Sequence, residues 1–168
     1  MAQQTMIGVN GAGTMGAGIA YAAAAAGYRV VLTDISEETV SGGNAVIERF
    51  LAKGLQREKI TAQQAKDIRS RILGTTDLGE LGDASFVIEA IVENLAVKQK
   101  HFAAIEAVVA PEAIIATNTS SLSVTEIAAS LAHPERFVGM HFFNPAHLMK
   151  LVEVIRATAK SDEVVEAT

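Results

Sequence analysis

The chain has 168 residues, of which 49% are hydrophobic and 20% charged, and its net charge is −5. This length and composition are typical of one globular domain, and with no dense Lys/Arg cluster we expect neither a nucleic-acid partner nor an anionic membrane. The absence of cysteine excludes disulfides, thiolate catalysis and cysteine-ligated metals, and it fits a reducing, cytoplasmic compartment.

The first segment of the chain carries no targeting signal that we recognise. Its first basic residue is Arg29, and strand-like sequence begins by Thr5, so we expect no signal or transit peptide. The Ala-rich stretch at residues 22–26 is too short and too weakly hydrophobic to span a bilayer. We interpret it as a helix packed closely on a sheet.

Seven apolar runs rich in β-branched residues alternate with helix-like segments. Most are continuously apolar, as in strands that are covered on both faces. Repeated β-α units predict an α/β fold with a doubly wound, mostly parallel sheet and right-handed crossovers. The predicted strands are Met6–Asn10, Arg29–Asp34, Arg71–Gly74, Ser85–Ala90, Ala113–Thr117, Phe137–Phe142 and Lys150–Ile155.

The connection after the second strand is longer than a simple β-α unit. Residues 36–70 predict a helical-hairpin insertion broken near residues 59–61, and two interpretations stay open. The hairpin lies on the domain, or it forms an arm over a ligand in which Lys53 and Arg57 offer charge to phosphates. Residue types suited to helix caps stand at Ser36, Thr61 and Ser123.

A glycine-rich turn follows the first strand and opens the first helix. Its first glycine permits a tight turn, its second lets the backbone approach a pyrophosphate, and its third lets helix and strand pack closely. The second predicted strand ends in Asp34, where a carboxylate accepts hydrogen bonds from an adenosine ribose and repels a 2′-phosphate. The pattern favours a Rossmann-like domain that binds NAD rather than NADP. The alternative is a glycine turn without a ligand, followed by an incidental Asp at the strand end. The turn reads Gly11-Ala12-Gly13-Thr14-Met15-Gly16.

A histidine and a carboxylate occur in the last two predicted strands. His141 lies near a strand end, at the sheet edge where open α/β folds bind ligands. Glu153 stands between Leu, Val and Ile residues, and a carboxylate buried there needs a partner. A Glu153–His141 pair is a general acid/base assembly suited to alcohol oxidation beside a nicotinamide. A structural hydrogen bond in the core is the alternative.

Other polar residues follow predicted strands at the same edge. Ser120 offers a hydroxyl to a substrate oxygen, or belongs to a loop that leads into a helix cap. Glu93, Asn94 and Lys98 contact the nicotinamide ribose, or cap the next helix. Asn144 offers its amide to the cofactor. No His/Asp/Glu cluster has metal-site spacing, and the histidines interpreted as surface or turn residues are His101, His133 and His147.

These residues match a known family over nearly the whole chain. The chain resembles the NAD-binding domain of L-3-hydroxyacyl-CoA dehydrogenases, including 3-hydroxybutyryl-CoA dehydrogenases. Besides the glycine turn and Asp34, the matching motifs are Glu89-Ala90-Ile91-Val92-Glu93-Asn94, Asn118-Thr119-Ser120-Ser121-Leu122, Gly139-Met140-His141-Phe142-Phe143-Asn144-Pro145 and Met149-Lys150-Leu151-Val152-Glu153.

The resemblance implies a role for each matched residue. It implies that His141 is the catalytic base, that Glu153 orients it, and that Ser120 contacts substrate and cofactor. Arg57 is the equivalent of an acyl-CoA contact in the helical arm. The cofactor contacts that it implies are Asp34, Glu93, Lys98 and Asn144.

The resemblance also implies a longer parent enzyme. Family members continue into a helical domain that closes the cleft and mediates dimerisation, and residues 161–166 look like a helix that has just begun. We therefore expect residues 1–168 to be an NAD-binding domain that is incomplete at its C-terminus, in a homodimeric parent.

The expected reaction is NAD-dependent oxidation of (S)-3-hydroxyacyl-CoA to 3-ketoacyl-CoA. Fatty-acid β-oxidation, butanoate metabolism and aromatic catabolism are all open as pathways. The alternatives are an NAD-binding module without turnover, as in crystallin-like relatives, and a dehydrogenase for a related hydroxy acid.

Overall fold

The computed structural model describes residues 5–157 and 162–168. Ser161, included in the predicted C-terminal helix, lies outside them. The strands are β1 Met6–Asn10, β2 Arg29–Thr33, β3 Ile72–Thr75, β4 Phe86–Glu89, β5 Ile114–Thr117, β6 Phe137–Phe142 and β7 Val152–Arg156. The helices are α1 Thr14–Ala25, α2 Glu37–Gln56, α3 Ala62–Ser70, α4 Leu95–Glu106, α5 Val124–Ala128 and α6 Asp162–Ala167.

The strands form one sheet in the order β3-β2-β1-β4-β5-β6-β7. The first six strands are parallel, and β7 pairs antiparallel with β6. The predicted doubly wound, mostly parallel sheet is therefore confirmed. The strand order reverses between β1 and β4, which is where open α/β sheets leave a crevice at the carboxyl ends of their strands.

All seven predicted strands are present, with ends shifted by at most two residues. The prediction of burial on both faces is wrong for β7, in which residues 153–156 are exposed. The reason is position, because β7 is the last strand in the sheet order and has β6 as its strand neighbour. Hydrophobicity alone does not distinguish such an edge strand from a central one.

Two apolar layers cover the sheet. One contains buried residues of α1, α2 and α3, with Ile19 and Ile47 among them. The other contains residues of α4 and α5, including Phe102, whose ring meets that of Phe137 edge-on at 4.8 Å. Each fully buried side chain of this size stabilises the fold by about 1.5–3 kcal/mol.

The helical hairpin α2–α3 packs against α1 rather than standing free of the domain. A Cβ at Gly43 would lie 2.7 Å from the carbonyl oxygen of Ala12, so α2 approaches the glycine turn too closely for a side chain. Thr61 and Gln64 form the predicted capping box. These contacts support the interpretation of a hairpin that lies on the domain, and its role as an arm over a ligand stays a prediction. Within the described residues, no helix combines the length and hydropathy needed to cross a bilayer.

Candidate active site

The glycine turn between β1 and α1 has the backbone form that a pyrophosphate site needs. Gly11 has φ +104°, and a Cβ there would lie 2.5 Å from the carbonyl oxygen of Ala90. A Cβ at Gly16 would lie 1.7 Å from the carbonyl oxygen of Gly11, whereas one at Gly13 would meet open space. Because no side chain caps α1 at Gly13, its first N–H groups remain available to an anion.

A cavity of about 820 Å³ lies beside this turn. Asp34 lines it, with one carboxylate oxygen 2.6 Å from the amide of Ala12 and the other 2.7 Å from that of Ile35. Each oxygen keeps lone pairs for a further donor, such as a ribose hydroxyl. The turn, the cavity and the carboxylate together fit a bound dinucleotide.

His141 and Glu153 face each other across the antiparallel β6–β7 pair. The register places the two residues directly opposite, with His141 Nδ1 2.9 Å from Glu153 Oε2. Their side chains are 21% and 56% exposed. The predicted pairing is present, but the expectation that Glu153 is buried was wrong. Strand register, rather than the cost of burying a charge, brings the two groups together.

The pair fixes which nitrogen of the His141 imidazole carries the proton. An ionised carboxylate only accepts hydrogen bonds, so Glu153 holds a proton on Nδ1 of His141. In the neutral imidazole, Nε2 is then an acceptor that can take a proton from a substrate hydroxyl. The carboxylate stabilises the imidazolium that results.

A buried ionic network supports the loops beside this pair. Lys98 Nζ lies 2.6 Å from Glu89 Oε1, and their side chains are 1% and 0% exposed. Glu89 also accepts from the hydroxyl of Thr117 and the amide of Ile91, both at 2.7 Å. Lys98 thus reaches the interior instead of the cleft, and this burial favours a positioning role over contact with a cofactor. Sequence reasoning gave Glu89 no role, although a charged residue at the end of an apolar strand was a usable signal.

Glu93 organises the loop that carries Ser120. Its carboxylate accepts from the Thr119 hydroxyl, from the Ser120 amide at 3.2 Å and from the Ser121 hydroxyl at 3.3 Å. Lys98 Nζ lies 3.3 Å from its other oxygen. Burial acts to raise the pKa of Glu93, but the Thr119 hydrogen bond and the Lys98 charge outweigh it and hold that pKa below its ordinary value. The carboxylate is therefore ionised near pH 7.

Two asparagines have structural roles at this edge. Asn94 caps α4 by accepting from the amide of Val97 at 3.1 Å, so the capping interpretation is the correct one for that residue. Asn118 Oδ1 accepts from the amide of Phe142 at 2.8 Å. This bond ties the end of β5 to the residue beside His141.

The other predicted contacts lie on exposed surface outside the cavity lining. Asn144 follows β6, Lys53 lies in the last turn of α2, and Arg57 forms the C-cap of that helix. His147 lies in the loop after β6. Burial lowers the pKa of this histidine, and the positive charge of Lys53 lowers it further by a smaller amount. This end of the hairpin thus lies near the loop that follows β6.

Two of the histidines interpreted as surface or turn residues are partly buried: His147 lies in a turn, in agreement with that interpretation, whereas for His101, within α4, the prediction was wrong. His147 stacks on Phe50 with ring centroids 3.6 Å apart, and Tyr21 meets both rings edge-on. His101 lines the cavity and contacts the side chain of Asn10. Its spacing of four residues from the cavity residue Val97 was an available helical signal. His133 is exposed, as predicted.

In the described part of the chain, His, Asp and Glu side chains form no group of three or more that suits a metal ion.

A glycine turn at the switch point of a mostly parallel sheet, with a carboxylate at the end of β2, defines a dinucleotide-binding domain of the dehydrogenase type. Residues 6–168 match the family model described as 3-hydroxyacyl-CoA dehydrogenase, NAD binding domain. The chain belongs to this family, and its cofactor is NAD.

Two protein relatives and one crystal structure show how far the similarity extends. The chain is 46% identical over 162 residues to a 3-hydroxybutyryl-CoA dehydrogenase of Bradyrhizobium diazoefficiens, covering 96% of this chain and 55% of the relative. It is 46% identical to a 3-hydroxyadipyl-CoA dehydrogenase of Escherichia coli, covering 95% of this chain and 34% of the relative. The crystal structure of an (S)-3-hydroxybutyryl-CoA dehydrogenase from Ralstonia eutropha superposes with TM-score 0.95 and 42% identity, covering 98% of this chain and 58% of that one. The chain therefore spans little more than half the length of these proteins at most.

Proposed function

We propose that the chain is the cofactor-binding and catalytic half of an enzyme that interconverts (S)-3-hydroxyacyl-CoA and 3-ketoacyl-CoA with NAD. The observation that carries this proposal is the His141–Glu153 pair, with a separation of 2.9 Å, near the carboxyl end of β6. Because β1 and β6 run parallel in one sheet, this pair and the glycine turn lie at the same sheet edge. A base beside a nicotinamide site is the arrangement that alcohol oxidation needs.

The residues divide the work of the reaction. NAD, held by the glycine turn and Asp34, would supply the acceptor for the hydride that leaves the hydroxyl-bearing carbon. His141 Nε2 takes the hydroxyl proton, and Glu153 stabilises the charged imidazole. Proton transfer by a positioned group contributes about 10²–10⁴ in rate. The hydroxyl of Ser120 donates a hydrogen bond to the substrate oxygen, from a loop whose position Glu93 and Lys98 hold.

Cofactor and substrate contacts complete the proposal. The N–H groups at the start of α1 bind the pyrophosphate, and Asp34 accepts from the adenosine ribose. Lys53 and Arg57 offer positive charge to the phosphates of the CoA moiety. The parent protein closes the cleft with a further domain and forms a homodimer through it. Lys98 positions the loops through Glu89 and Glu93 instead of touching the cofactor. The remaining cofactor contacts in the proposal are Gly11, Gly13, Thr14, Met15, Gly16, Glu93 and Asn144.

The test is His141→Gln in the longest form of the protein that its gene encodes. The assay follows NADH oxidation with acetoacetyl-CoA and, separately, NADH binding by nucleotide fluorescence. We expect kcat to fall at least about a hundredfold, with NADH affinity unchanged because the imidazole serves the substrate. His133→Gln, an exposed histidine changed in the same way, is the matched control.

An unchanged kcat in His141→Gln would remove the histidine from the reaction. NADH binding without turnover in the wild-type protein would favour an NAD-binding module. Turnover of a free hydroxy acid in preference to the acyl-CoA would favour the related dehydrogenase.

A further inference from the structure

A buried polar chain runs from β2 through β1 to α4 at the floor of the cofactor cavity. Asn10 Nδ2 donates to Thr33 Oγ1 at 2.7 Å, and His101 Nε2 lies 2.5 Å from Asn10 Oδ1. Asn10 and Thr33 are 2% and 0% exposed, so water does not compete for these bonds. His101 itself lines the cavity. None of the steps proposed above uses this chain of side chains.

The polar chain selects one tautomer of His101. Because Thr33 takes the amide N–H of Asn10, the amide oxygen faces the imidazole. That oxygen only accepts, so Nε2 carries the proton and donates. Burial chiefly lowers the pKa of His101, and it outweighs the opposing charges of Glu89 and Asp34. The ring is therefore neutral near pH 7, and its Nδ1 is an acceptor.

The acceptor nitrogen Nδ1 of His101 is left for a donor from a ligand. No described residue donates a hydrogen bond to it. The cavity wall is mostly apolar, and Ile91, Val92 and Val97 line it together with His101 and Asp34. A base joined to a ribose held by Asp34 fits against such a wall. An adenine carries one strong exocyclic donor, its 6-amino group.

We propose that His101, fixed by Asn10, accepts a hydrogen bond from the 6-amino group of the cofactor's adenine. The cavity is thereby selective for NAD over the dinucleotide that carries hypoxanthine in place of adenine. Hypoxanthine presents a carbonyl oxygen at position 6, which meets the acceptor Nδ1 with no proton between them. Turning the ring to the other tautomer removes the bond to Asn10 instead. The inference rests on the proposed binding of the dinucleotide in this cavity.

The test compares the binding of NADH and reduced nicotinamide hypoxanthine dinucleotide by nicotinamide fluorescence, without any turnover. We expect the wild-type protein to bind NADH about tenfold more tightly, since a site built for a donor rejects an acceptor in its place. In His101→Leu, the ratio of the two dissociation constants should fall close to one, mainly through weaker NADH binding. His133→Leu is the matched control and should keep the wild-type ratio.

A second variant covers loss of folding in the first. The combination of Asn10→Leu, His101→Leu and Thr33→Val replaces all three side chains of the polar chain with apolar ones, so no polar group of that chain is left unpaired, and its ratio should also fall close to one. A wild-type ratio near one, or a ratio retained in both variants, would overturn the role of His101 and leave the cofactor assignment intact. If neither dinucleotide bound the wild-type protein, the cofactor assignment would fail together with this inference.

Discussion

Loss of the ion pair between Lys98 and Glu89 should destabilise the protein strongly, because both side chains are at most 1% exposed. In Lys98→Met, the Glu89 carboxylate loses its cation and keeps only the Thr117 hydroxyl and the Ile91 amide as donors. Glu93 also loses the ammonium 3.3 Å away. A buried carboxylate is then left without a compensating charge.

The expected cost is large. Removing one partner of a buried ion pair destabilises a protein by about 3–5 kcal/mol. For a chain of this size, each kcal/mol lowers Tm by about 2–4 °C, so Lys98→Met should lower Tm by about 6–20 °C. Adding Glu89→Gln should recover most of the loss, since an amide can serve both remaining partners without a charge.

The measurement is urea and thermal unfolding of the single and double variants, followed by circular dichroism. Lys100→Met is the matched control, because Lys100 lies two residues away on α4 and is exposed. Its effect should stay within about 0.5 kcal/mol. The reasoning is refuted if Lys98→Met is no more costly than Lys100→Met, or if Glu89→Gln brings no recovery.

Four further variants test the glycine turn, the cavity and the loop after β6. Asp34→Ala should lose the preference for NAD over NADP in binding titrations, and a retained preference would exclude the carboxylate as the cause. Gly13→Ala should keep its Tm, because the new Cβ enters open space within the protein. It should weaken NADH binding at least about tenfold, because the same Cβ blocks the approach of the pyrophosphate to the backbone. Gly16→Ala should lower Tm, since its Cβ would lie 1.7 Å from the Gly11 carbonyl oxygen; equal Tm for these two variants would contradict the packing argument. Burial lowers the pKa of His147 in the folded protein, so its stabilising contribution is present above about pH 6.5 and declines as pH falls below that value. His147→Phe removes this loss and should raise Tm more at pH 5 than at pH 8, whereas a gain independent of pH would contradict the assignment.

Local patterns were sufficient for the framework of the site. Apolar β-branched runs predict strands because a side chain fits a buried sheet by its own shape, wherever its neighbours lie. The glycine turn and Asp34 are likewise local, since each concerns the backbone of a single β-α-β unit. The pairing of His141 with Glu153 was predicted from two adjacent strands, although the burial argument behind it did not hold.

Contacts between distant segments were decided by the tertiary structure. The exposure of Glu153 depends on β7 being the last strand in the sheet order, which no property of residues 152–156 determines. The hydrogen bond between Asn10 and His101 joins residues 91 positions apart, so the local sequence around either residue does not predict its partner.

The sequence by itself determined the fold class, the glycine turn, the position of Asp34 at the end of the second strand and the pairing of His141 with Glu153. Only the tertiary structure decided that Lys98 points inward to Glu89 and that His101 faces the cofactor cavity. The physical reason is that strand formation and turn geometry depend on neighbouring residues. Burial and hydrogen-bond partners depend instead on which elements the sheet order places side by side.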